Sequence, residues 1–561
     1  MLDRVIGLET EYAIRPRQAA DEQTPRFLMY RALTQSLRRR MPLATAKHFK
    51  DGSFLSTGGA VWFEAERETS GAGLIEGATP ECRGPRQLLA YQRAQDALLE
   101  ESASDELTGR PFSLIKNDRD VDDNVYGAQE NYELPIGHGW RLFAWRAGLV
   151  AMTPLALFSW FSSLMFGVFL WLYVGGVELY KLVVRSRKPS TPPAWIESVL
   201  IWWLRMANFP LGAALWLHCK CFAFAQTRRH LTSFLATRSL ICGSGRLDRA
   251  NRFHLADKAG SINCIVGFGG FFHDRPLYAM GHFFKRIYVE PFFSPRDLFR
   301  LFAARQRLQI GLGDSNMCEV AEYLRIGTTG LILDAIEAGK FGDSPQIRRP
   351  IRELRGVSAN STLGGNISCR GRRLATPLEI QWYYYDVCRT FVDEHPDSTA
   401  DAWEVLGYWR DTLTALAQFE QDGVLPEPLI GEIDWVTKKY LLDQAGVGAT
   451  WEQLKKIDIR YHELSPDGYF MKLQQAGLVR RLLNDEEVAR AQRLPPPDTA
   501  ASLRGRLIRE FAIHRDAVQA NWHVVIIRDG KKRRKIELQK SIRRPSRWRN
   551  RETTHEAKTL N

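Results

Sequence analysis

Paired cysteines are missing from this chain. Its eight thiols, Cys82, Cys219, Cys221, Cys242, Cys264, Cys318, Cys369 and Cys388, form no Cys-x-x-Cys unit with a matching partner, so neither a zinc site nor a disulfide framework is expected. Free thiols suit a reducing compartment. The stretch Met1-Leu2-Asp3-Arg4-Val5-Ile6-Gly7 carries charges where a secretion signal needs its apolar run, so a cytoplasmic chain is expected. A P-loop is lacking too: Gly267-Phe268-Gly269-Gly270 has no Lys-Ser/Thr after it and reads as a turn. No nucleic-acid-binding motif accompanies the net charge of +13, and no specific nucleic-acid partner is expected. The basic excess gathers at one end, where residues 531–561 hold twelve Lys/Arg against three Glu. That stretch reads as a basic disordered tail, solvated or drawn to anionic lipid.

With 561 residues, 45% of them hydrophobic and 25% charged, the chain can build two or more domains with their own cores. Its longest uncharged apolar run, rich in Leu, Phe and Trp, is the 31 residues from Ala147 to Val177. About 20 apolar residues suffice to span a bilayer. A basic stretch follows, with Lys181, Arg185, Arg187 and Lys188, then Pro189, Pro192 and Pro193. A second apolar segment runs from Ser198 to Leu217 and contains Arg205 and Pro210. If residues on both sides of this insert build one site, the two segments cross the bilayer twice or not at all. Two crossings would put the basic loop outside, against the tendency of such loops to stay in the cytoplasm. A hairpin dipping into one leaflet and an interfacial helix pair both avoid that conflict. A membrane surface or bilayer is the partner expected for residues 147–217.

The chemistry-bearing residues begin at Arg4-Val5-Ile6-Gly7-Leu8-Glu9-Thr10-Glu11-Tyr12-Ala13-Ile14. Read as a strand, alternation puts Ile6, Leu8, Tyr12 and Ile14 on one face and Glu9 and Glu11 on the other, the carboxylates about 7 Å apart. Paired acids at that spacing suit a hard cation such as Mg2+, which keeps phosphate oxygens as further ligands. A second acidic strand, Ala60-Val61-Trp62-Phe63-Glu64-Ala65-Glu66, places Glu64 and Glu66 beside Trp62. Glu76 follows, in Ile75-Glu76-Gly77-Ala78-Thr79-Pro80-Glu81-Cys82-Arg83. Lys116-Asn117-Asp118 precedes a turn and a strand holding Glu130-Asn131-Tyr132. After the insert, Gly313-Asp314-Ser315-Asn316-Met317 leads into an amphipathic run from Glu319 to Glu337, which Asp314, Ser315 or Asn316 would cap.

Several of these stretches resemble the motifs of the Pup ligase family, which also contains the Pup deamidase/depupylase. They are Gly7-Leu8-Glu9-Thr10-Glu11-Tyr12, Glu76-Gly77-Ala78-Thr79-Pro80-Glu81-Cys82, Tyr126-Gly127-x-x-Glu130-Asn131-Tyr132, Thr237-Arg238-Ser239-Leu240-Ile241-Cys242-Gly243-Ser244-Gly245 and Gly313-Asp314-Ser315-Asn316-Met317. Leu378-Glu379-Ile380-Gln381-x-Tyr383-Tyr384, Glu432-Ile433-Asp434-Trp435-Val436-Thr437-Lys438 and Asp458-Ile459-Arg460-Tyr461-His462-Glu463 extend the match. The motifs keep the family's order from residue 4 to about 527, apart from the insert at 135–227 and a poorly matching stretch at 250–305.

The resemblance implies an α+β, glutamine synthetase-like fold: a curved antiparallel sheet backed by helices and a smaller C-terminal domain, into which the apolar segments read above would be inserted as a hydrophobic helical hairpin. The expected domains are 1–134 and 228–425 for the catalytic domain, 135–227 for the insert, 426–530 for the C-terminal domain and 531–561 for the tail. ATP and Mg2+ are the implied cofactors. The implied partners are a small disordered Pup-like modifier and lysine-bearing protein substrates. Carried over residue by residue, Glu9, Glu11 and Glu76 become metal or nucleotide-phosphate ligands and Glu64 the base, at a position where the family has Asp. Asn131, Asp314 and Asn316 line the site, while Glu432, Asp434, Trp435 and Lys438 are structural or contact the modifier. His462 reads as a core histidine with a satisfied hydrogen bond. The 53 residues from Glu11 to Glu64 resemble the shorter spacing of the ligase branch. The chain also departs from the family: Gln129 and Gln309 stand where it has His, six extra residues fall within Glu66–Leu74, and its Arg-Asp-Glu-Pro-His-Ala-Asp segment has no clear counterpart. A depupylase or deamidase, and a catalytically weakened binding protein at the membrane, are the alternatives.

Overall fold

A computed structural model of the chain describes residues 1–17, 24–47, 51–65, 73–116, 119, 124–184, 194–269, 274–288, 295–395, 397–446, 448–512, 517–530 and 532–538. Glu66, Asn117, Asp118, Arg185, Arg187, Lys188, the prolines at 189, 192 and 193, Gly270 and the basic residues beyond 538 lie outside the described residues.

The chain divides into two compact units. The first comprises Met1–Glu133, Arg229–Ile262 and Gln309–Asn561, and the second Leu134–Arg228 and Asn263–Leu308. This differs from the domain map expected from sequence in two respects. Residues 263–308 group with the insert, and no separate C-terminal unit forms, because buried side chains such as Asp434, Lys438 and Arg504 tie residues 426–530 into the first unit.

The first unit is built around a mixed sheet. Its strands are β1 (Val5–Pro16), β2 (Leu43–Ala46), β3 (Gly52–Leu55), β4 (Ala60–Ala65), β5 (Gly73–Ala78), β6 (Cys82–Arg83), β7 (Phe112–Ile115) and β8 (Ala128–Pro135). They run side by side in the order β8–β1–β5–β4–β3–β2, and the sheet continues through Val518–Ala520, Val524–Asp529 and Lys532–Glu537. Neighbouring pairs from β8 to β2 are antiparallel, whereas β2 and Val518–Ala520 are parallel. Strict alternation along β1 sends Ile6, Leu8, Thr10, Tyr12 and Ile14 into the core, leaving Glu9 and Glu11 half-buried on the other face.

The core face of β1 is covered by helix α2 (Pro85–Ala103), which follows helix α1 (Arg26–Arg40) in the chain. Pro85 opens α2 with its φ already helical, after Gly84 at φ +80°. From α2, Asp96 accepts from the Tyr12 hydroxyl at 2.7 Å and from Lys116 Nζ at 2.8 Å, and Gln92 donates to Thr10 Oγ1 at 3.3 Å. The helix Glu319–Glu337, expected to be amphipathic, is buried on every side as far as Ile336. Thr328 and Thr329 satisfy themselves on the carbonyls of Leu324 and Arg325 and Arg325 pairs with Glu322, while Glu319 and Asp334 take donors from Leu482 and Arg4, so its polar residues find partners within the core.

The cap of that helix is also not where the sequence put it. Cys318 is the N-cap and no side chain from 314–316 caps it. Asp434 holds the turn just before the helix, accepting from the backbone N–H groups of Met317 and Cys318, each at 3.0 Å. The expected basic tail begins as structure too: Lys532–Glu537 pairs antiparallel with Val524–Asp529 around Gly530, at φ +57°. Asp529-Gly530 is a hairpin signal that outweighs the local run of like charge.

In the second unit, helices α3 (Trp140–Ala151), α4 (Thr153–Val184) and α5 (Ala194–Phe222) join two parallel strands, Cys264–Gly267 and Pro276–Ala279. Trp145 is fully buried there. Its indole donates to the Leu301 carbonyl at 2.9 Å and its ring stacks on His218 with centroids 4.8 Å apart.

Candidate active site

Pairing register decides whether the acidic side chains meet, since directly opposed residues in an antiparallel ladder share a face. Glu11 is opposite Glu76, Glu9 is opposite Gln129 and Gly7 is opposite Asn131. Glu76 is in turn opposite Trp62, two residues before Glu64. Glu9, Glu11, Glu64, Glu76, Gln129 and Asn131 therefore stand on one face of four adjacent strands, β8–β1–β5–β4. Opposed pairs such as Glu11 and Glu76 have Cβ atoms roughly 5 Å apart.

At one end this face is roofed. Trp62 packs with Phe54, Leu507, Ile508 and Val525, bringing the helix Ala500–Phe511 and the C-terminal strands over β2–β4. Arg504 pins that roof: its guanidinium donates to the Gly58 carbonyl and to Glu81 and stacks 4.8 Å from the Trp522 ring. Towards β8 the face is open, and a Cβ built on Gly7 would meet nothing within 4 Å.

Glu9 is held at the open end by two amides. Asn131 Nδ2 donates to its Oε1 at 3.3 Å, and Gln309 Nε2, from the strand Arg305–Ile310, donates to its Oε2 at 3.2 Å. Gln309 also donates to Gln129 Oε1. Among the described residues the Oδ1 of Asn131, buried, has no hydrogen-bond partner, an acceptor available to a donor on a bound molecule.

Behind Gln129 and Asn131 lies their support. Glu130 points into the core, where Arg238 donates to both its oxygens at 2.9 and 2.6 Å and the Tyr132 hydroxyl adds a bond of 2.7 Å. Burial pushes the Glu130 carboxyl up, but Arg238 and Arg325 beside it outweigh that and hold it below the usual carboxylate range. Gly313 must be glycine at this point: its carbonyl accepts from the Ala128 N–H at 3.0 Å, and a Cβ would lie 2.6 Å from the Arg325 guanidinium.

Two expected site residues do not join the acidic face. The Asp314 carboxylate is already taken by four donors: the Ser244 N–H and hydroxyl at 2.9 and 3.1 Å, the Asp257 N–H at 3.1 Å and the Lys258 N–H at 3.0 Å. It ties loops together, with three of the donors on Oδ2 and one on Oδ1. Asn316 is fully buried: its backbone carbonyl accepts from Arg93 of α2, the helix on the opposite face of the sheet, and among the described residues its side-chain amide has no hydrogen-bond partner. Both lie on the turn that runs into the buried start of the helix Glu319–Glu337.

Of the C-terminal motif residues, Asp434, Trp435 and Lys438 are buried. Lys438 gives its three protons to the Gly245 carbonyl, Asp458 and His462 Nε2 at 2.7 to 2.9 Å, and Trp435 donates to the Leu240 carbonyl at 2.8 Å. Burial, with Lys438 adding to it, drops His462 well below its usual range, so the ring is neutral. Nε2 then accepts from Lys438 and the proton sits on Nδ1, which is buried without an acceptor, so this core histidine is only half satisfied.

Among the described residues no three His, Cys, Asp or Glu side chains converge as an all-protein metal cage. Mg2+ bound with a nucleotide needs only one or two carboxylates, since phosphate oxygens and waters complete its octahedron, so the acidic face fits it. Sequence reasoning did not assign Gln129 and Gln309 to the site, nor Glu130, Arg238 and Arg504 to its frame. Alternation along β8 separates outward Gln129 and Asn131 from inward Glu130, but only the fold shows which cation meets it.

A carboxylate-lined sheet face backed by helices places this α+β unit among glutamine synthetase-like folds. Residues 4–526 match the model of the Pup-ligase protein family, and the chain belongs to that family. A Pup–protein ligase of Corynebacterium jeikeium is 26% identical over 519 residues, 90% of this chain and 88% of that one. A depupylase of Acidothermus cellulolyticus is 30% identical over 315 residues, 54% of this chain and 58% of its own length. Among solved structures, the Pup ligase PafA in complex with Pup superposes with a TM-score of 0.66 at 20% identity, covering 99% of this chain and 92% of that one. PafA in complex with ADP gives 0.59 at 20% identity, covering 95% and 92%.

Proposed function

We propose that this protein is an ATP-dependent ligase that joins the C-terminal glutamate of a small Pup-like modifier to lysines of protein substrates. The modifier's side-chain carboxylate attacks the γ-phosphorus of ATP, ADP leaves, and a glutamyl phosphate forms. A lysine amine then attacks the acyl carbon, its proton passes to a base, phosphate leaves, and an isopeptide bond remains. Bound Mg2+ would neutralise phosphate charge during the transfer. Glu9, Glu11 and Glu76 face the phosphates and their cation, with Asn131 and Gln309 fixing the Glu9 carboxylate. Glu64, at the roofed end beside Trp62, takes the proton from the incoming ammonium. Asp314 and Asn316 act through the frame that carries these strands.

One observation carries the reading: the register that puts all four glutamates on one face. The Corynebacterium jeikeium ligase aligns over 90% of this chain, and the solved neighbours were captured with ADP and with Pup. The depupylase match favours a second reading, isopeptide cleavage by the same site. The test uses Glu9→Ala and Glu64→Ala. Loss of Mg-ATP binding in the first, and retained binding with lost transfer in the second, supports the assignment, whereas two unaffected variants refute it. Product formation against cleavage on a modifier ending in Gly-Gly-Glu separates ligase from depupylase.

The proposal extends to location: the insert holds the enzyme at the cytosolic side of a membrane. The helical stretch Trp140–Lys181 is long and apolar enough to cross one, and its most apolar part is only 17% buried.

A further inference from the structure

We propose that α4 and α5 enter the bilayer as a ready-paired hairpin whose polar side chains face inward and whose outer surface is solvated by lipid acyl chains. This rests on the membrane reading above and specifies its ligand, hydrocarbon in place of headgroups or a protein groove.

The two helices are registered antiparallel by polar contacts. Ser159 Oγ donates to Asn208 Oδ1, Trp203 Nε1 donates to Ser162 Oγ at 2.8 Å, and the Phe169 and Trp203 rings lie 5.5 Å apart. Exposure runs opposite to that of a water-soluble pair. Ser159, Ser162 and Asn208 are 0, 7 and 3% exposed, whereas Phe161, Trp171 and Trp202 are 61, 74 and 63% exposed. In water this arrangement buries what could be solvated and solvates what should be buried. In hydrocarbon it is the expected one, because small and polar residues hold helices together while apolar side chains meet the lipid.

Protein grooves cover a stripe of a helix, about 100° wide. From Leu164 to Val177 α4 is uncharged, and large apolar side chains are exposed all round it. Only a surrounding solvent of lipid covers such a cylinder. The dimensions agree: Leu164 to Tyr180 is about 25 Å of helix, against roughly 30 Å of hydrocarbon. Polar groups mark the ends. Glu178 and Lys181 pair at 2.5 Å at the far end, while Trp160, Trp202 and Arg205 gather near the other, where ring and guanidinium sit at a headgroup boundary. Pro210 inside α5 is tolerated in such a setting.

The full chain, reconstituted into phosphatidylcholine/phosphatidylglycerol vesicles, should float with them and stay bound through high salt and alkaline carbonate. A diazirine on the acyl chain should label the segment around Val168, Trp171 and Val174 and spare Ser159 and Asn208. The variant Leu164→Lys/Val168→Lys should lower the vesicle-bound fraction more than tenfold, since each lysine is buried in hydrocarbon. Release by salt or carbonate, labelling confined to headgroup probes, or unchanged binding of the lysine variant would overturn the hairpin while leaving membrane attachment standing. A chain that never floats would defeat both.

Discussion

Gln309 Nε2 donates simultaneously to Glu9 Oε2, at 3.2 Å, and to Gln129 Oε1. The motif resemblance places histidine at both glutamine positions in the family, so two departures far apart in sequence meet at one carboxylate. Gln309, itself held by Gln129, gives Glu9 a neutral donor whose strength is indifferent to pH. Restoring both histidines in a Gln129→His/Gln309→His variant should therefore add a titration. Below about pH 6.5 a protonated ring beside Glu9 would repel the metal, and Mg-ATP affinity should fall several-fold there, while the unsubstituted protein gains no such step from this pair. Binding measured from pH 5.5 to 8 checks it, and superimposable profiles would remove the amide pair from the account.

The same strand supplies a stability prediction. Arg238→Met leaves Glu130 charged, buried and without its bidentate partner, a change that costs about 3–5 kcal/mol. Chemical denaturation should show the loss, and adding Glu130→Gln should recover a good part of it because no unpaired charge then remains. If the double variant is no better than the single one, the penalty comes from packing and not from the charge.

Much of this frame was legible before any fold was known. Alternation in Ile6, Leu8, Tyr12 and Ile14 separated core from acid, because a strand has period two and one buried face. Glu76 and Glu64 joined that face through register, which a single sequence does not specify, and so the resemblance had to stand in for geometry. Asp314 and Asn316 illustrate the opposite case. Their motif was recognisable, yet their partners Ser244, Asp257, Lys258 and Arg93 come from distant segments that no local pattern connects. No side chain from 314–316 caps Glu319–Glu337 for the same reason, and the carboxylate that holds Cys318 just before it, Asp434, arrives from 116 residues away. In the tail, the run of Lys and Arg obscured the Asp529-Gly530 turn that makes residues 532–537 a strand.

Asp314→Asn offers a way to separate scaffold from site. Four donors converge on this carboxylate, and an amide nitrogen would face at least one of them, so a loss of roughly 2–4 kcal/mol is expected from hydrogen bonds to a charged group. Mg-ATP affinity, measured at a temperature where the variant is folded, should stay within about twofold of the parent. A folded variant that loses nucleotide binding selectively would return Asp314 to the site.

Glu100, near the end of α2, gives the clearest pH dependence. Burial pushes its carboxyl up to about 7, although the Leu114 N–H at 3.0 Å and Arg17 at 3.4 Å favour the charged form. The folded state thus keeps this proton at pH values where the unfolded chain has released it. Where the native state binds more protons than the unfolded one, stability falls as pH rises, here between the ordinary glutamate range and about 7, and then levels off. The penalty at pH 8 is up to roughly 3 kcal/mol from this group. Glu100→Gln keeps an oxygen for Leu114 and removes the charge, so it should be more stable than the parent at pH 8 and nearly equal to it at pH 4.5. Denaturation midpoints at both pH values decide the matter: equal offsets at the two would mean that the side chain's shape, and not its proton, sets the difference.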